Sequence, residues 1–303
     1  MLSLYKLEIF AAVVQEGSFS GAASRLYMTQ PAVSQHIQDL EASLGTKLFD
    51  RRRRGVHLTP AGETLHDYTR KILRLVSDAQ AAVTNVEQLA EGSLALSATP
   101  GVRTYLLPQW ISGFRTRFPN LSASIRSDIT PQVIADVLSH QADLGFVEGE
   151  LNAAQDAIQS RILTEIRHLV IVAPQHPWFE RETVAIQELQ DQPFVTRQPG
   201  SRTRTWMDGV LGKRGVKPRI VGEFDDPETI KQSVMANIGL SILPDYAVRR
   251  ELEANLLRGL IVEDCDLRRH LKLIWDGRQA ISPIARAFLS YLAVPFPGLV
   301  DLT

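Results

Sequence analysis

From Leu65 onward, apolar residues recur at alternating spacings of three and four: Leu65, Tyr68, Ile72, Leu75, Ala79, Ala82, Val86 and Leu89. A repeat of about 3.5 residues is the seam of a coiled coil. Thr59 and Pro60 stand where a cap and a first-turn proline belong, and Gly92 closes the stretch. A helix of roughly 30 residues is about 45 Å long and cannot bury such a stripe against itself. Either it packs along a domain of its own chain or it pairs with a second copy; the narrow, uninterrupted stripe favours pairing. In both cases the chain is divided into a short N-terminal part, a long helix, and the remainder through Thr303.

The N-terminal part reads as three short helices. Leu4, Leu7, Phe10, Ala11 and Val14 form an amphipathic stripe over 4–16, ended by Gly17. Ser18 or Ser20 can cap a second helix carrying Phe19, Ala22, Ala23 and Leu26, where small alanines let another helix cross closely. After a break at Tyr27-Met28, Thr29 and Pro31 open a third helix, about 31–44. It turns Val33, Ile37, Leu40 and Leu44 inward and shows Gln30, Ser34, Gln35 and Gln38 to solvent. Glutamine can pair with adenine at two points and serine serves phosphate or base edge, so this face suits a major groove. The pattern is that of a helix-turn-helix with the third helix reading DNA; an ordinary bundle with polar outer faces is the plainer alternative.

The formal net charge of −1 does not announce a nucleic-acid binder, so positive charge must be local. It lies in Arg51-Arg52-Arg53-Arg54, between Lys47-Leu48-Phe49-Asp50 and Gly55-Val56-His57-Leu58-Thr59. Two short apolar strands around a basic tip make a wing, whose arginines would follow the phosphate backbone and make binding salt-dependent. Alone, such a run is a solvated loop.

Taken together, Gly17-Ser-Phe-Ser-Gly-Ala-Ala-Ser-Arg-Leu26, Thr29-Gln-Pro-Ala-Val-Ser34, Leu40-Glu41, Leu44-Gly45, Lys47-Leu48-Phe49-Asp50-Arg51 and Leu58-Thr59-Pro60-Ala61-Gly62 resemble the signature of the LysR-type transcriptional regulators. The resemblance implies DNA contact by Thr29, Gln30, Pro31, Ser34, Gln35, Gln38 and the wing residues Arg51, Arg52, Arg53 and Arg54. Gln35 stands where the pattern more often has arginine, which bears on the operator sequence. The implied fold is an all-α winged helix-turn-helix over 1–58, a dimerising linker helix over 59–91, and an α/β effector domain over 92–303. That last domain would have two lobes, similar to periplasmic solute-binding proteins, with lobe I at 92–163 plus 267–303 and lobe II at 164–266. The implied partners are a double-stranded DNA operator, a small anionic effector, further copies of the chain (homodimer or homotetramer) and RNA polymerase.

Beyond Gly92, strand-like runs at 94–98, 123–126, 144–147, 169–173, 194–196, 220–224, 241–243 and 271–274 alternate with helical patterns at 105–118, 131–140, 206–214, 227–235 and 283–292. This alternation argues independently for an α/β fold with largely parallel sheets. Such sheets bind ligands at the carboxyl ends of their strands. There lie Thr99-Pro100-Gly101-Val102-Arg103-Thr104 and, after Thr196, Arg197-Gln198-Pro199-Gly200-Ser201-Arg202-Thr203-Arg204. Arginine at a positive helix end is unfavourable unless an anion joins it; the alternative is capped helices whose arginines reach solvent. Asp128, Thr130, Val147 and Glu148 lie at two further strand ends. Their carboxylates imply either a ligand that also offers hydroxyls or an amine, or pairing with the arginines when the cleft is empty. The stretches 103–108, 146–149 and 199–204 resemble the branch containing the RuBisCO-operon activators and assimilation regulators, which respond to phosphorylated or other small anions.

Other classes are disfavoured. Catalytic residues, metal ligands and cofactors are not expected: the chain has no Gly-x-Ser-x-Gly elbow, P-loop or Gly-x-Gly-x-x-Gly, and its seven histidines and one cysteine, Cys265, lack metal-ligand spacing. An α/β-lobe enzyme or a solute-binding protein fused to a DNA-binding module is the alternative. No run reaches the 18 or so apolar residues of a membrane span. The N-terminal stretch carries Glu8 and no basic lead, so it reads as a mature helix. A cytoplasmic location without a membrane partner is the expectation.

Overall fold

The computed structural model describes residues 2–50, 56–83, 92–151 and 157–302. Contacts divide the chain into two units, Met1–Val86 and Glu87–Thr303.

The first unit opens with α1 (Leu4–Glu16), α2 (Phe19–Arg25) and α3 (Gln30–Leu44). Side chains of Ser3, Ser18 and Thr29 cap them, each accepting a backbone N–H of the first turn. Gly17 and Gly45 end α1 and α3 at φ of 62° and 67°, a conformation that costs glycine little. Tyr27 adopts φ 53° in the turn between α2 and α3. The core holds Ile9, Phe10, Val13, Ala22, Ala23, Val33, Ile37, Leu40, Leu48 and Phe49. Ile9, Ala12 and Val13 are more buried than the expected Ala11 and Val14, and Leu4 is exposed. The reason is that α1 packs against α2 and α3 and also against the following helix, so its buried face is wider than one stripe. Leu44, expected inside, is exposed on the last turn before Gly45.

Residues 48–50 and 57–59 pair antiparallel, through a Phe49–Leu58 bridge, Asp50 N–H to His57 C=O at 2.8 Å and Thr59 N–H to Leu48 C=O at 2.9 Å. The hairpin they define is the expected wing; Arg51, Arg52, Arg53 and Arg54 lie outside the described residues. Helix α4 (Pro60–Val83) follows at once. A Cβ on Gly62 would stand 2.1 Å from the Leu48 carbonyl oxygen, so only glycine lets this helix start against the hairpin. Ala82, Val86 and Leu89 of the expected seam belong to positions whose side chains are not described.

In the second unit the strands are β1 (Gly92–Ala98), β2 (Leu121–Ser127), β3 (Leu144–Glu148), β4 (Ile158–Val172), β5 (Thr183–Val184), β6 (Pro193–Arg197), β7 (Arg219–Phe224), β8 (Ser241–Pro244), β9 (Arg258–Val262) and β10 (Arg268–Asp276). The helices are α5 (Pro100–Tyr105), α6 (Leu107–Arg117), α7 (Thr130–Leu138), α8 (Arg202–Lys213), α9 (Pro227–Met235), α10 (Asp245–Glu253) and α11 (Pro283–Leu292). Parallel β1, β2 and β3 meet antiparallel β10, which pairs with the first part of β4. The last part of β4 pairs with β8 and β9 in the second lobe. There β6 lies parallel to β7 and bridges, through Phe194, to Leu240 just before β8. Two long strands, β4 and β10, therefore join two α/β lobes. Thr164 faces Leu271 while Ile162 faces Lys272, so Leu163 sits in a bulge between the lobes.

Some expected elements changed. The helix expected over 105–118 is two, broken at Leu106, and the first begins at Pro100. β4 is far longer than 169–173, because its polar first half is sheltered only by pairing with β10. β5, β9 and α10 had no expected counterpart.

One buried carboxylate carries the first unit's wing. Glu41, 3% exposed, accepts from Lys47 Nζ at 2.7 Å, Leu48 N–H at 2.9 Å and Phe49 N–H at 3.5 Å. Burial alone raises its pKa, but these donors outweigh it and leave the value below the ordinary 4.5. A depressed carboxylate stabilises above its unfolded pKa and loses that contribution as pH falls through the folded value. Glu41→Gln should therefore destabilise the protein by about 1–3 kcal/mol at neutral pH. Chemical denaturation should show this gap shrinking as pH drops below about 4.

Candidate functional site

Two surfaces carry the expected site residues. On α3, Gln30, Pro31, Gln35 and Gln38 are exposed and Ser34 is half-buried. The Thr29 hydroxyl accepts from Ala32 N–H at 3.4 Å, setting where the helix starts. Gln30 donates to Ser34 Oγ at 3.2 Å. Gln35 donates to Asp39 Oδ1 at 2.9 Å. That bond uses one of two amide protons and leaves an oxygen and a second N–H, the pair an adenine edge requires. His36, next to Gln35, packs edge-on against Tyr5 with ring centroids 5.3 Å apart.

The second surface is the cleft between the lobes of the C-terminal unit. The first lobe brings Thr99, Pro100, Ile129, Thr130 and Glu148; the second brings Arg197, Ser201, Arg202 and Thr203. The space they enclose is ≈ 20 Å³, enough for about one water. Glu148 (8% exposed), Arg197 (7%) and Arg269 (6%) are buried charges at one crossing point. Arg269, on β10, donates to the Glu148 carbonyl oxygen at 3.0 Å and to Thr203 Oγ1 at 3.1 Å. Its guanidinium lies 3.7 Å from the Glu148 carboxylate and 5.0 Å from the Trp206 ring centroid. Tyr246, on α10, donates its hydroxyl to Glu148 Oε1.

Burial pushes the Glu148 pKa up, opposed by Arg269, the Tyr246 hydroxyl and Arg197. Burial likewise lowers the Arg197 and Arg269 values, with nearby carboxylates, Glu148 among them, working the other way. His168, tilted against the Trp206 ring, is pushed down to about 3 by burial and then by Arg269, so it is neutral. Beside the cavity, Arg202, Trp206, Arg268, Arg269 and His270 line a second space of ≈ 270 Å³.

Four buried donors here have no partner among the described residues: Thr99 Oγ1, Thr130 Oγ1 and Arg197 Nε at the cavity, and Arg269 Nε beside it. α7 and α8 both start at this cavity without a side-chain cap, whereas α9 and α11 are capped by Asp226 and Ser282. Orphaned donors and open helix starts around one space are what an oxyanion requires.

Of the residues expected to bind an effector, Thr99, Pro100, Thr130, Glu148, Ser201 and Arg202 line this cavity. Gly101 stands beside it: a Cβ there would be 2.5 Å from the Tyr246 hydroxyl. Gly200, at φ 86°, shapes the turn before α8 but is exposed. Four others differ. Arg103 is exposed on the outer side of α5, because the helix begins at Pro100 and turns that position away. Val102 and Val147 are fully buried, Val147 packing with Val133, Val137 and Ile274 in the first lobe's core. Asp128 is exposed and accepts from Ile129 N–H. Arg204 turns from the cavity to Asp208, Glu223 and the Arg197 carbonyl oxygen.

Sequence reasoning missed Arg269 and Tyr246, whereas Arg197 and Thr203 lay in the second turn it picked out. A signal existed for Arg269: with Leu271 and Leu273 it occupies alternate positions of one strand, so it shares their inward face.

Comparison with known proteins identifies both domains. Residues 4–63 match the family described as "Bacterial regulatory helix-turn-helix protein, lysR family", and residues 87–294 match "LysR substrate binding domain". The chain is 30% identical over 290 residues to the HTH-type transcriptional activator CmpR of Synechocystis, covering 96% of this chain and 94% of that one. It is 31% identical over 298 residues to a probable RuBisCO transcriptional regulator of Cyanophora paradoxa, covering 97% and 92%. Among solved structures it resembles CbnR complexed with its target DNA, at a TM-score of 0.71, 20% identity and coverage of 97% and 100%. The regulatory domain of Synechocystis CcmR in complex with 2-PG is similar at a TM-score of 0.61 and 23% identity, over 67% of this chain and 96% of that one. This chain belongs to the LysR family of DNA-binding transcriptional regulators and carries that family's effector-binding domain. Its named relatives are regulators rather than enzymes. No helix among the described residues is long and apolar enough to cross a membrane.

The Gln35 geometry yields a direct expectation. Gln35→Ala should cost about 1–3 kcal/mol on the operator and much less on random DNA in gel-shift titrations. Equal losses on both would make Gln35 a backbone contact.

Proposed function

We propose that this regulator reads its operator with Thr29, Gln30, Pro31, Ser34, Gln35, Gln38 and the wing arginines Arg51, Arg52, Arg53 and Arg54, and senses a small anionic metabolite in the cleft. The carrying observation is the set of unpartnered donors, Thr99 Oγ1, Thr130 Oγ1 and Arg197 Nε, around a cavity lined by two arginines and one carboxylate. The neighbour solved with 2-PG supports a small molecule bound in a domain of this fold. The working units are a DNA-binding domain over 1–58, a linker over 59–91 and an effector domain over 92–303, with lobe boundaries at 163/164 and 266/267. The start of α4 at Pro60, the start of β1 at Gly92 and the bulge at Leu163 support these divisions. Such a regulator works in the cytoplasm, where its operator is, and acts on transcription through RNA polymerase.

An anion held by both lobes favours the closed form over the open one; a ligand touching one lobe has no such differential affinity. Coupling of about 1–3 kcal/mol between cleft and operator suffices to change promoter occupancy. Calorimetry with 2-PG, inorganic phosphate and dicarboxylates tests the reading. For whichever binds, Arg197→Ala or Arg202→Ala should weaken affinity at least about tenfold, or about 1.4 kcal/mol, while exposed Arg103→Ala changes little. The reverse pattern would place the site elsewhere.

The chain also acts as a homodimer or homotetramer, through α4. Tyr68, Leu75 and Val83 are 60%, 70% and 85% exposed on it, an apolar series a single copy leaves uncovered. Ile72→Asp with Leu75→Asp puts charge into that seam. Sedimentation should then show monomers and gel shifts a loss of operator binding; a surviving dimer would move the interface off α4.

A further inference from the structure

The cavity that would receive the anion is too small for one. Its ≈ 20 Å³ admits about one water, and a tetrahedral oxyanion has five heavy atoms. Something must leave before an effector enters. Among the described residues Glu148 is the single carboxylate lining the cavity, and its interactions span the lobes. From the end of β3 it accepts the Tyr246 hydroxyl of α10 and faces Arg269 of β10 at 3.7 Å. Two glycines keep this arrangement possible. A Cβ on Gly101 would stand 2.5 Å from the Tyr246 hydroxyl, and one on Gly149, whose φ is +86°, 2.1 Å from the Arg269 guanidinium.

We propose that the Glu148 carboxylate is a built-in competitor of the effector, occupying the anion's place among the cleft cations and tying the lobes together through Tyr246 while the site is empty. This rests on reading the cleft as an anion site. An arriving oxyanion takes the donors of Thr99, Thr130, Arg197 and the start of α8. Two anions cannot share so small a space, so Glu148 swings out of it and, beside the bound anion, takes up a proton. Effector binding thus breaks one interlobe bond, Glu148 to Tyr246, as it makes others, and an empty cleft is held by a contact of its own.

Glu148 faces Arg269 from β10, Arg197 from β6, Arg202 from α8, and Tyr246 and Asp245 from α10; Asp225 and Asp226, ahead of α9, act on Arg197. Burial already inclines this carboxyl toward its neutral form. A second anion inclines it further, so binding is coupled to proton uptake and weakens as pH rises.

The test is calorimetric titration of the full chain with inorganic sulfate, which does not titrate near neutrality, at about pH 6 and about pH 8. Wild type should bind more weakly at the higher pH. Glu148→Gln should bind at least roughly tenfold more tightly than wild type at about pH 8 and lose the pH dependence. Tyr246→Phe, which frees the carboxylate but keeps it, should fall between and remain pH-dependent. If Glu148→Gln binds sulfate as weakly as wild type or more weakly, while Arg197→Ala still abolishes binding, the competitor role is wrong and the anion site stands. If sulfate binds none of these proteins, or binds them regardless of Arg197, both ideas fall. Should Glu148→Gln not fold, Tyr246→Phe and the wild-type pH series decide, and identical affinities throughout would overturn the proposal.

Discussion

Arg269 is a cation on the strand that joins the two lobes, and it is almost wholly removed from water. A buried charge without a partner costs several kcal/mol, and that cost is met here by groups from both sides of the joint. Glu148 comes from the first lobe, Thr203 and the Trp206 ring from the second. The geometry of the cleft follows from this single requirement. Gly149 must lack a side chain so that the guanidinium can lie where it does. Tyr246 and Gly101 meet at Glu148, which brings α10 up to α5. Arg197 and the orphaned hydroxyls of Thr99 and Thr130 are then left around the small space beside Glu148, without partners among the described residues.

A sensor needs two arrangements of comparable free energy, so that a ligand worth a few kcal/mol can choose between them. The cleft has the means for that. Its closing contacts are polar: Glu148 with Tyr246, Arg269 with Thr203, and, farther out, the Tyr105 hydroxyl bonded to Glu228 at 2.7 Å. The apolar cores of the two lobes are separate clusters, one including Val133, Val137 and Ile274, another Ile171, Val195 and Ile230. Opening the cleft exchanges polar contacts for water and leaves those cores packed. β4 and β10 can flex where Leu163 bulges, and the strands themselves stay paired on either side.

The N-terminal helices were legible because their signals are local. Ser18 and Thr29 cap, Pro31 follows, and Gly17 and Gly45 end their helices at positive φ, all within a few residues of sequence. The α/β character of the remainder was also legible, from strand-like runs alternating with helical patterns. What escaped was set by distant pairing. The first half of β4 is polar enough to pass for a loop and is a strand only because β10 lies beside it. The cleft was half legible for the same reason. Residues at strand-to-helix turns, such as Thr99, Thr130 and Ser201, announce themselves by type and place. Arg269 and Tyr246 reach the site from a crossover strand and a helix far along the chain. Arg103 misled because an arginine in a glycine-containing turn looks like a ligand until the helix is seen to begin three residues earlier.

The central claim is that one oxyanion is held between the lobes by Thr99, Thr130 and Arg197. Selenate is a close mimic of sulfate and scatters anomalously, so a crystal of the full chain soaked in selenate locates the site directly. The account predicts an anomalous peak about 4 Å from both threonine hydroxyls and the Arg197 Nε, the selenium lying one bond beyond oxygens at hydrogen-bond distance. Glu148 should be displaced from its present position in the same crystal. A peak bound elsewhere on the molecule, with the cleft unoccupied and Glu148 unmoved, would contradict it.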